Sequence, residues 1–577
     1  MKGEPFTKNG KTLLSGIDPI RRAERTADSV SLTGRTLYFC PSPLYGYGLE
    51  RFLSRLEEQA PDSAVLCVEA DTELYALSVD NIPPSITQNK KFHLTNISNE
   101  AALAFFVRET WGASAFRRIE TLRLTGGYQL FPELYASLCD TLQKEIASDW
   151  SNALTLAKLG RLYIRNFFRN LAFFEQYQSI SNLSFGDAPV LVLGAGPSLD
   201  QLTENNEQRT KNKEQRTENK EQLTESREQL AFKLRSPENR SFKIVCVDTC
   251  LGALKDRGIV PDLVVILESQ HWNLRDFSGC KGWNVPAAID LSALPASARA
   301  LNSALGEDSR ERGYFFFTPW TALRVFDRLR EAGLLPASIP PLGSVGLTAV
   351  EIACRLTRGK IILCGLDFSF TQDKYHARGT PGHRSRLNSQ TRLKSIANTQ
   401  AFAAGVFPAL SKSGVSVYSN PVMRNYRDLF EREFAGIPRL FDIEGSGLPL
   451  GVKTLTMQEA MRELGIDKLN REPPRTAANQ NSNTEQQVHN VSVVPDRNPE
   501  LISFFKNEKK RLEELRGILS GEIASDQQRL EILIDELDYL WAHFPDCIGC
   551  RRPDLSDISF LKRVRVEIEP MLALMGR

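Results

Sequence analysis

Pro189-Val190-Leu191-Val192-Leu193-Gly194-Ala195-Gly196-Pro197-Ser198-Leu199-Asp200 is the stretch that decides the fold. An apolar run of strand length meets a Gly-x-Gly turn, and a serine suited to capping a helix follows. A buried strand feeding a glycine turn and a helix start is a recurring phosphate cradle. The glycines let the backbone come close, and the amide groups with the helix dipole favour negative charge. A lone Gly-x-Gly also fits a tight turn that binds nothing. The third glycine of the dinucleotide fingerprint is missing, and Pro197-Ser198 stands after the second. That favours a mononucleotide phosphate over NAD.

Further strands read outward from this one. Phe242–Val247 ends at Asp248-Thr249, and Leu263–Leu267 ends at Glu268-Ser269-Gln270. Open α/β sheets bind ligands at the carboxyl ends of their strands. Asp248, Glu268 and Gln270 are therefore candidates for sugar or base contacts, although Asp248 also suits a helix cap. Ala287–Ile289 and Tyr314–Phe317 are further strands, and Thr318-Pro319 is expected to start a helix. Pro341-Leu342-Gly343-Ser344-Val345-Gly346 is a second Gly/Ser turn, able to receive a carboxylate. The strand of Lys360–Leu366 closes on Asp367. A polar loop then carries His376 and His383, two of the chain's six histidines. An imidazole there suits a general base. No spacing of His or carboxylates predicts a metal site. Val415–Ser419 reads as the last strand of this domain. Thr456-Met457-Gln458-Glu459 is a capping box opening a helix.

The rest of the chain falls around this domain. Residues 1–130 read as a smaller α/β domain, with strands at Thr36–Cys40, Ala64–Val68, Phe92–Thr95 and Ile119–Leu124. Its first strand leads into the loop Pro41–Gly48, a ligand loop or a plain connection. Residues 131–185 are a helical connector with an apolar stripe at Leu134, Leu138, Leu142, Ile146, Trp150 and Leu154. Residues 186–465 form the central domain, interrupted at 203–230 by a polar seven-residue repeat without a coiled-coil seam. Residues 466–499 are a linker, and 500–577 a helical region for docking or homo-oligomerisation. The fold class is thus α/β: a central doubly wound domain, a smaller N-terminal α/β domain and a helical C-terminal region.

Composition excludes several function classes. Of 577 residues, 41% are hydrophobic and 25% charged, and the net charge is +2. This is ordinary for a globular protein and argues against a dedicated nucleic-acid binder. Met1–Lys11 lacks the apolar core of a signal peptide, and no apolar run reaches membrane-spanning length, so a cytoplasmic place is expected. The ten cysteines are scattered, several within strand-like runs, which fits reduced thiols. Cys547-x-x-Cys550 has no second ligand pair near it.

Together these motifs resemble a known family. Gly194–Leu199, Gly258-Ile259-Val260-Pro261-Asp262, Gly343-Ser344-Val345, Gly365-Leu366-Asp367-Phe368 and His376-Ala377-Arg378-Gly379-Thr380 come in the order seen in motility accessory factors. Those are bacterial flagellin glycosyltransferases. The same region, about 186–465, is similar to archaeal 6-hydroxymethylpterin pyrophosphokinases and to bacterial sialyltransferases. Ser15-Gly16-Ile17-Asp18-Pro19 is similar to the motility factors' N-terminal domain. The 203–230 repeat and the C-terminal helices depart from the pattern.

The resemblance implies a Rossmann-like, sialyltransferase-like central domain. It implies transfer of a nonulosonic acid from a CMP-sugar to Ser or Thr of flagellin, with no cofactor and no metal. Gly194, Gly196, Pro197 and Ser198 would hold the phosphate. Asp248, Glu268 and Gln270 would contact cytidine or sugar, and Gly343 and Ser344 the sugar carboxylate. His376 would be the base, His383 its alternate, with Asp367 beside them. A pterin pyrophosphokinase would instead use ATP and Mg²⁺, with Asp248, Glu268 and Asp367 as ligands. A non-catalytic flagellin-binding factor is the third alternative.

Overall fold

The computed structural model describes residues 4–112, 114–173, 178–202, 230, 232–280, 282–301, 313–371, 374–393, 399–466, 498–524, 526–547 and 553–575. The polar repeat, apart from Leu230, and Cys550 lie outside them, as does all but the edges of the expected linker. The chain divides into two compact units. One comprises Met1–Arg161 with Ile518–Ile568, the other Leu162–Gly517 with Glu569–Arg577.

In the N-terminal unit, β1 (Phe6–Lys8) and β2 (Lys11–Leu14) form an antiparallel hairpin. Then β3 (Thr36–Pro41), β4 (Ala64–Val68), β5 (Phe92–Thr95) and β6 (Arg118–Thr121) make a parallel sheet in the order β5-β4-β3-β6. Its central strands are apolar on both faces. Tyr38, Cys40, Val65 and Cys67 enter one buried cluster, while Leu37, Phe39, Leu66 and Val68 enter another. Continuous burial of this kind is what parallel strands require. The expected stripe packs there through Leu138, Leu142 and Ile146, whereas Leu154 is exposed.

The second unit is built on a nine-stranded sheet. Its strands are β7 (Gln178–Ser179), β8 (Val190–Leu193), β9 (Lys243–Val247), β10 (Leu263–Ile266), β11 (Ala287–Asp290), β12 (Gly313–Phe316) and β13 (Ile361–Cys364). An antiparallel pair, β14 (Phe407–Leu410) and β15 (Ser416–Ser419), stands apart, and β16 (Leu440–Ile443) and β17 (Lys453–Leu455) rejoin the sheet. The order is β17-β16-β13-β8-β9-β10-β11-β12-β7, all parallel. Successive strands run outward from β8 through β12, and β13 then returns to the other side of β8. The sheet is doubly wound, and its switch point lies between β8 and β13.

Three local expectations are corrected. Ser198 caps no α-helix: it lies inside a 3₁₀ segment, Pro197–Leu202, and its hydroxyl is engaged elsewhere. Val415–Ser419 does form a strand, at Ser416–Ser419, but not the last of the domain: it pairs antiparallel with β14 outside the nine-stranded sheet. The sheet ends instead on β16 and β17. The helix after Thr318 begins only at Arg324, since the Thr318 amide is held by Asp290. The helical stripes at Leu512, Leu515, Leu533 and Leu537 are buried within the chain, the first pair in the second unit and the other in the N-terminal unit. The capping box at Thr456–Glu459 is present with both reciprocal bonds.

Candidate functional site

At the switch point two glycine turns press together. A Cβ on Gly194 would stand 2.3 Å from the Gly365 carbonyl oxygen, and one on Gly196 would stand 2.5 Å from Asp367 Oδ2. Both positions therefore need glycine. The turn's amides are turned inward. Gly194 N–H donates to Cys364 O and Gly196 N–H to Gly365 O, each at 2.8 Å. Ser198 N–H donates to Asp367 Oδ2 at 2.7 Å, and its hydroxyl donates to the other carboxylate oxygen while accepting from Gly365 N–H. Asp367 is buried, so its bonds go to the turn that the sequence assigns to a phosphate.

A buried cation balances this acid. Lys412 Nζ lies 2.5 Å from Asp442 Oδ2, with both side chains at most 3% exposed. The same ammonium acts on Asp367 through space. Burial still pushes the Asp442 carboxyl up to about 6.

The histidine loop is tied to the turn. Ala377 N–H donates to Ala195 O at 2.9 Å. Buried Asp200, the last residue of the opening stretch, takes the loop's Lys374 Nζ at 2.8 Å and Arg378 N–H at 3.0 Å, together with Arg257 Nη2 at 2.7 Å. This fixes His376 beside the switch point. Its ring meets Tyr375 edge-on at 4.7 Å, and Arg386 lies over the Tyr375 ring at 5.3 Å. Burial, then Arg386 and Arg275, lower the His376 pKa to about 4, so its imidazole is neutral at ordinary pH. His383 belongs to the Asp200 side of the loop. Burial lowers its pKa while Asp200 opposes this, and its Nδ1 is buried without a hydrogen-bond partner.

The remaining predicted residues occupy the rim. Asp248 accepts from Thr249 N–H at 2.8 Å and from Asn273 Nδ2 at 3.1 Å. Thr249 Oγ1 bridges to Asp276 at 3.2 Å. Burial and then Asp276 push Asp248 up to about 7. Glu268 is exposed and accepts the Gln270 amide at 3.0 Å. Gly343 is left-handed at φ 67°, with Tyr426 against it. Ser344 opens the helix Val345–Leu356 without a side-chain cap bond.

Other site residues were not predicted. Asp290 closes β11, taking Ser292 N–H at 2.7 Å and Thr318 N–H at 2.8 Å, and burial pushes it up to about 6. Asn166 and Asn170, one helical turn apart, clamp the strand ends. Asn166 donates to Ser269 O and Ser292 O, and Asn170 to Leu291 O and Ala293 O, all within 3.1 Å. Tyr163, one turn earlier, is pushed up to about 12 by burial and by Glu268 and Asp290. An Asn-rich helix offers no local hint of such a clamp. Acids at strand ends do, and Asp290 was legible on that ground.

Residues 231–373 match the family model described as 6-hydroxymethylpterin diphosphokinase MptE-like. The matched stretch covers β9 to β13 and ends before His376. A relative from Treponema pallidum (strain Nichols), described as an uncharacterized protein, is 28% identical over 563 residues, spanning 96% of this chain and 90% of that one. Among solved structures, the chain is similar to the MAf glycosyltransferase from Magnetospirillum magneticum AMB-1. The identity is 14%, the TM-score 0.49, and the likeness covers 100% of this chain and 84% of that one. Among the described residues, no helix is long and apolar enough to cross a membrane.

Proposed function

We propose that this chain is a glycosyltransferase that moves a nonulosonic acid of pseudaminic, legionaminic or sialic type. The donor is a CMP-sugar, and the acceptor a Ser or Thr of flagellin in the cytoplasm. The observation that carries the reading is the neutral imidazole of His376, pinned by Ala377 and Asp200 to the switch point of a doubly wound sheet. The ordered motif set of the motility accessory factors supports it, as does the MptE-like match inside the same domain.

The chemistry follows from the placement. His376 takes the proton of the acceptor hydroxyl as its oxygen bonds to the anomeric carbon. The bond from that carbon to the CMP phosphate oxygen breaks, and CMP leaves with the electron pair. Charge at the sugar is oxocarbenium-like. Because Ser198 N–H and Oγ are given to Asp367, and the Gly194 and Gly196 amides to Cys364 O and Gly365 O, the half-buried edge of the turn at Ala195-Gly196 would face the donor. Asp248, Glu268 and Gln270 would take cytidine or sugar. Gly343 and Ser344, whose hydroxyl makes no cap bond, would take the carboxylate. Asp367 acts as the brace of the turn.

The pterin diphosphokinase reading draws on the description of the matched family. Its magnesium ligands would be Asp248, Glu268 and Asp367. These acids do not fit a shared ion, because each is turned to different protein donors: Thr249 and Asn273, Gln270, and Ser198. The experiment is transfer from CMP-sugar to purified flagellin, read by intact mass. His376→Ala should abolish the mass gain while flagellin co-purification persists. Unchanged modification overturns the assignment of the base. Calorimetric binding of ATP with Mg²⁺, and none of CMP, overturns the donor.

A further inference from the structure

Among the described residues, no carboxylate acts on His376 as one commonly does on a catalytic imidazole. The groups that act on it are cations from two elements, Arg386 of the helix Pro381–Asn388 and Arg275 of the 3₁₀ segment His271–Phe277. Arg275 reaches Asp276 at 3.6 Å and is otherwise 69% exposed. Arg386 differs from its neighbours. Arg257 is paired with Asp200, and Arg384 with Asp256 at 2.6 Å. Among the described residues no Asp or Glu pairs with Arg386. Its guanidinium instead stacks over Tyr375, and burial lowers its pKa. The imidazole packs against the first turn of the same helix, where a Cβ on Gly382 would come 3.0 Å from His376 Nδ1.

A part-buried guanidinium without a counter-ion beside a part-buried imidazole is an arrangement that an anion completes. The planar fork matches a carboxylate or a phosphate, and its place over the Tyr375 ring helps hold it there. We propose that Arg386 is the seat for an acidic group of the donor, phosphate or carboxylate, set beside His376. This rests on the nucleotide-sugar reading. An anion there offsets the two cations that act on His376, so the imidazole becomes a better proton acceptor once donor is bound. By linkage, protonation of His376 tightens the anion in turn. The base would then be weak in the empty enzyme and strengthened by its own substrate.

The test is calorimetric titration of the full chain, wild type and Arg386→Ala, with CMP, inorganic phosphate and N-acetylneuraminate. Thermal melting verifies the fold, and R386K serves in its place if R386A does not fold. Removing the fork should weaken one of these ligands tenfold or more. A response to CMP and phosphate assigns the seat to the phosphate; a response to N-acetylneuraminate alone assigns it to the carboxylate. In wild type, the His376 ring resonance should titrate at higher pH with that ligand than without. If phosphate binding needs Arg386 while CMP fails to bind wild type, the seat stands and the nucleotide reading falls. If CMP binds wild type and both variants alike, and N-acetylneuraminate and phosphate do too, the seat falls and the nucleotide reading stands. Absence of binding by all three overturns both.

Discussion

The two parallel sheets of this protein close their carboxyl ends in the same way. In the N-terminal sheet, Ser42 after β3 donates its hydroxyl to buried Glu69 after β4 at 2.5 Å. In the central sheet, Ser198 after β8 donates its hydroxyl and amide to buried Asp367 after β13. Each device has a glycine over it. A Cβ on Gly127 would meet Ser42 Oγ at 2.0 Å, and one on Gly196 would meet Asp367 Oδ2 at 2.5 Å. The serine–acid clasp is therefore a way of finishing a strand end, and does not mark a ligand site. What separates the sheets is the chemistry around the clasp. Near Glu69 the acid Asp71 and its neighbour Glu73 hold Lys8 at 2.7 and 2.9 Å. Near Asp367 the loop tied to the turn carries a neutral imidazole, and the helix after it carries a guanidinium with no acid partner among the described residues.

The largest expected effect lies in what balances each acid. Lys412→Met would leave Asp442 and Asp367 buried without their cation, at a cost of about 3–5 kcal/mol. Glu69 has no such dependence. It accepts from Ser42 Oγ, Asp71 N–H and Tyr135 Oη, and Glu69→Gln should cost about 1 kcal/mol. Urea denaturation of both variants measures the difference. Equal losses would mean that the two clasps are energetically alike.

Close approach gives the next effect. Gly196→Ala forces a methyl against the Asp367 carboxylate and should lose about 1–3 kcal/mol, as should Gly127→Ala against Ser42. Only the first should also weaken CMP binding, since only that clasp underlies the proposed site. Calorimetry beside thermal melting separates the two.

How far the chain was legible follows from the same physics. The strands β3, β4 and β8 to β13 show as apolar runs because both of their faces are buried. β16 did not show, because it carries Asp442 in a buried position, and the lysine that makes this tolerable stands thirty residues earlier in sequence. β7 is only two residues long. At the site, the glycine turns and strand-end acids could be read from local pattern. The roles of Ser198 and Asp367 could not, since each depends on a partner some 170 residues away. Arg386 and the Asn166–Asn170 clamp carry no pattern at all. An arginine's lack of an acid is a property of the folded surroundings.

The smallest effect is a pair of opposed pH slopes in the central unit. Asp248 is held up at about 7, well above an unfolded aspartate near 3.9, so the folded state keeps a proton the unfolded chain has lost. Its contribution is present below about pH 4 and fades as pH rises toward 7. His376 works the other way. Its folded pKa of about 4 lies below the unfolded value near 6.5, so its contribution is present above about 6.5 and is lost as pH falls toward 4. Between pH 4.5 and 6.5 each has a slope of at most about 1.4 kcal/mol per pH unit, and the two nearly cancel. Asp290 and Asp442, both raised to about 6, slope the same way in wild type and variants, so the signs are read against wild type: Asp248→Asn should turn the slope upward with pH, and His376→Gln should turn it downward. The N-terminal clasp has Glu69 raised by burial but no opposing histidine on the acid itself. Urea midpoints of the two variants at pH 4.5, 5.5 and 6.5 resolve the signs. Parallel slopes would show that the imidazole beside the switch point is not held neutral by its cations and burial, which removes the feature that sets the central sheet apart.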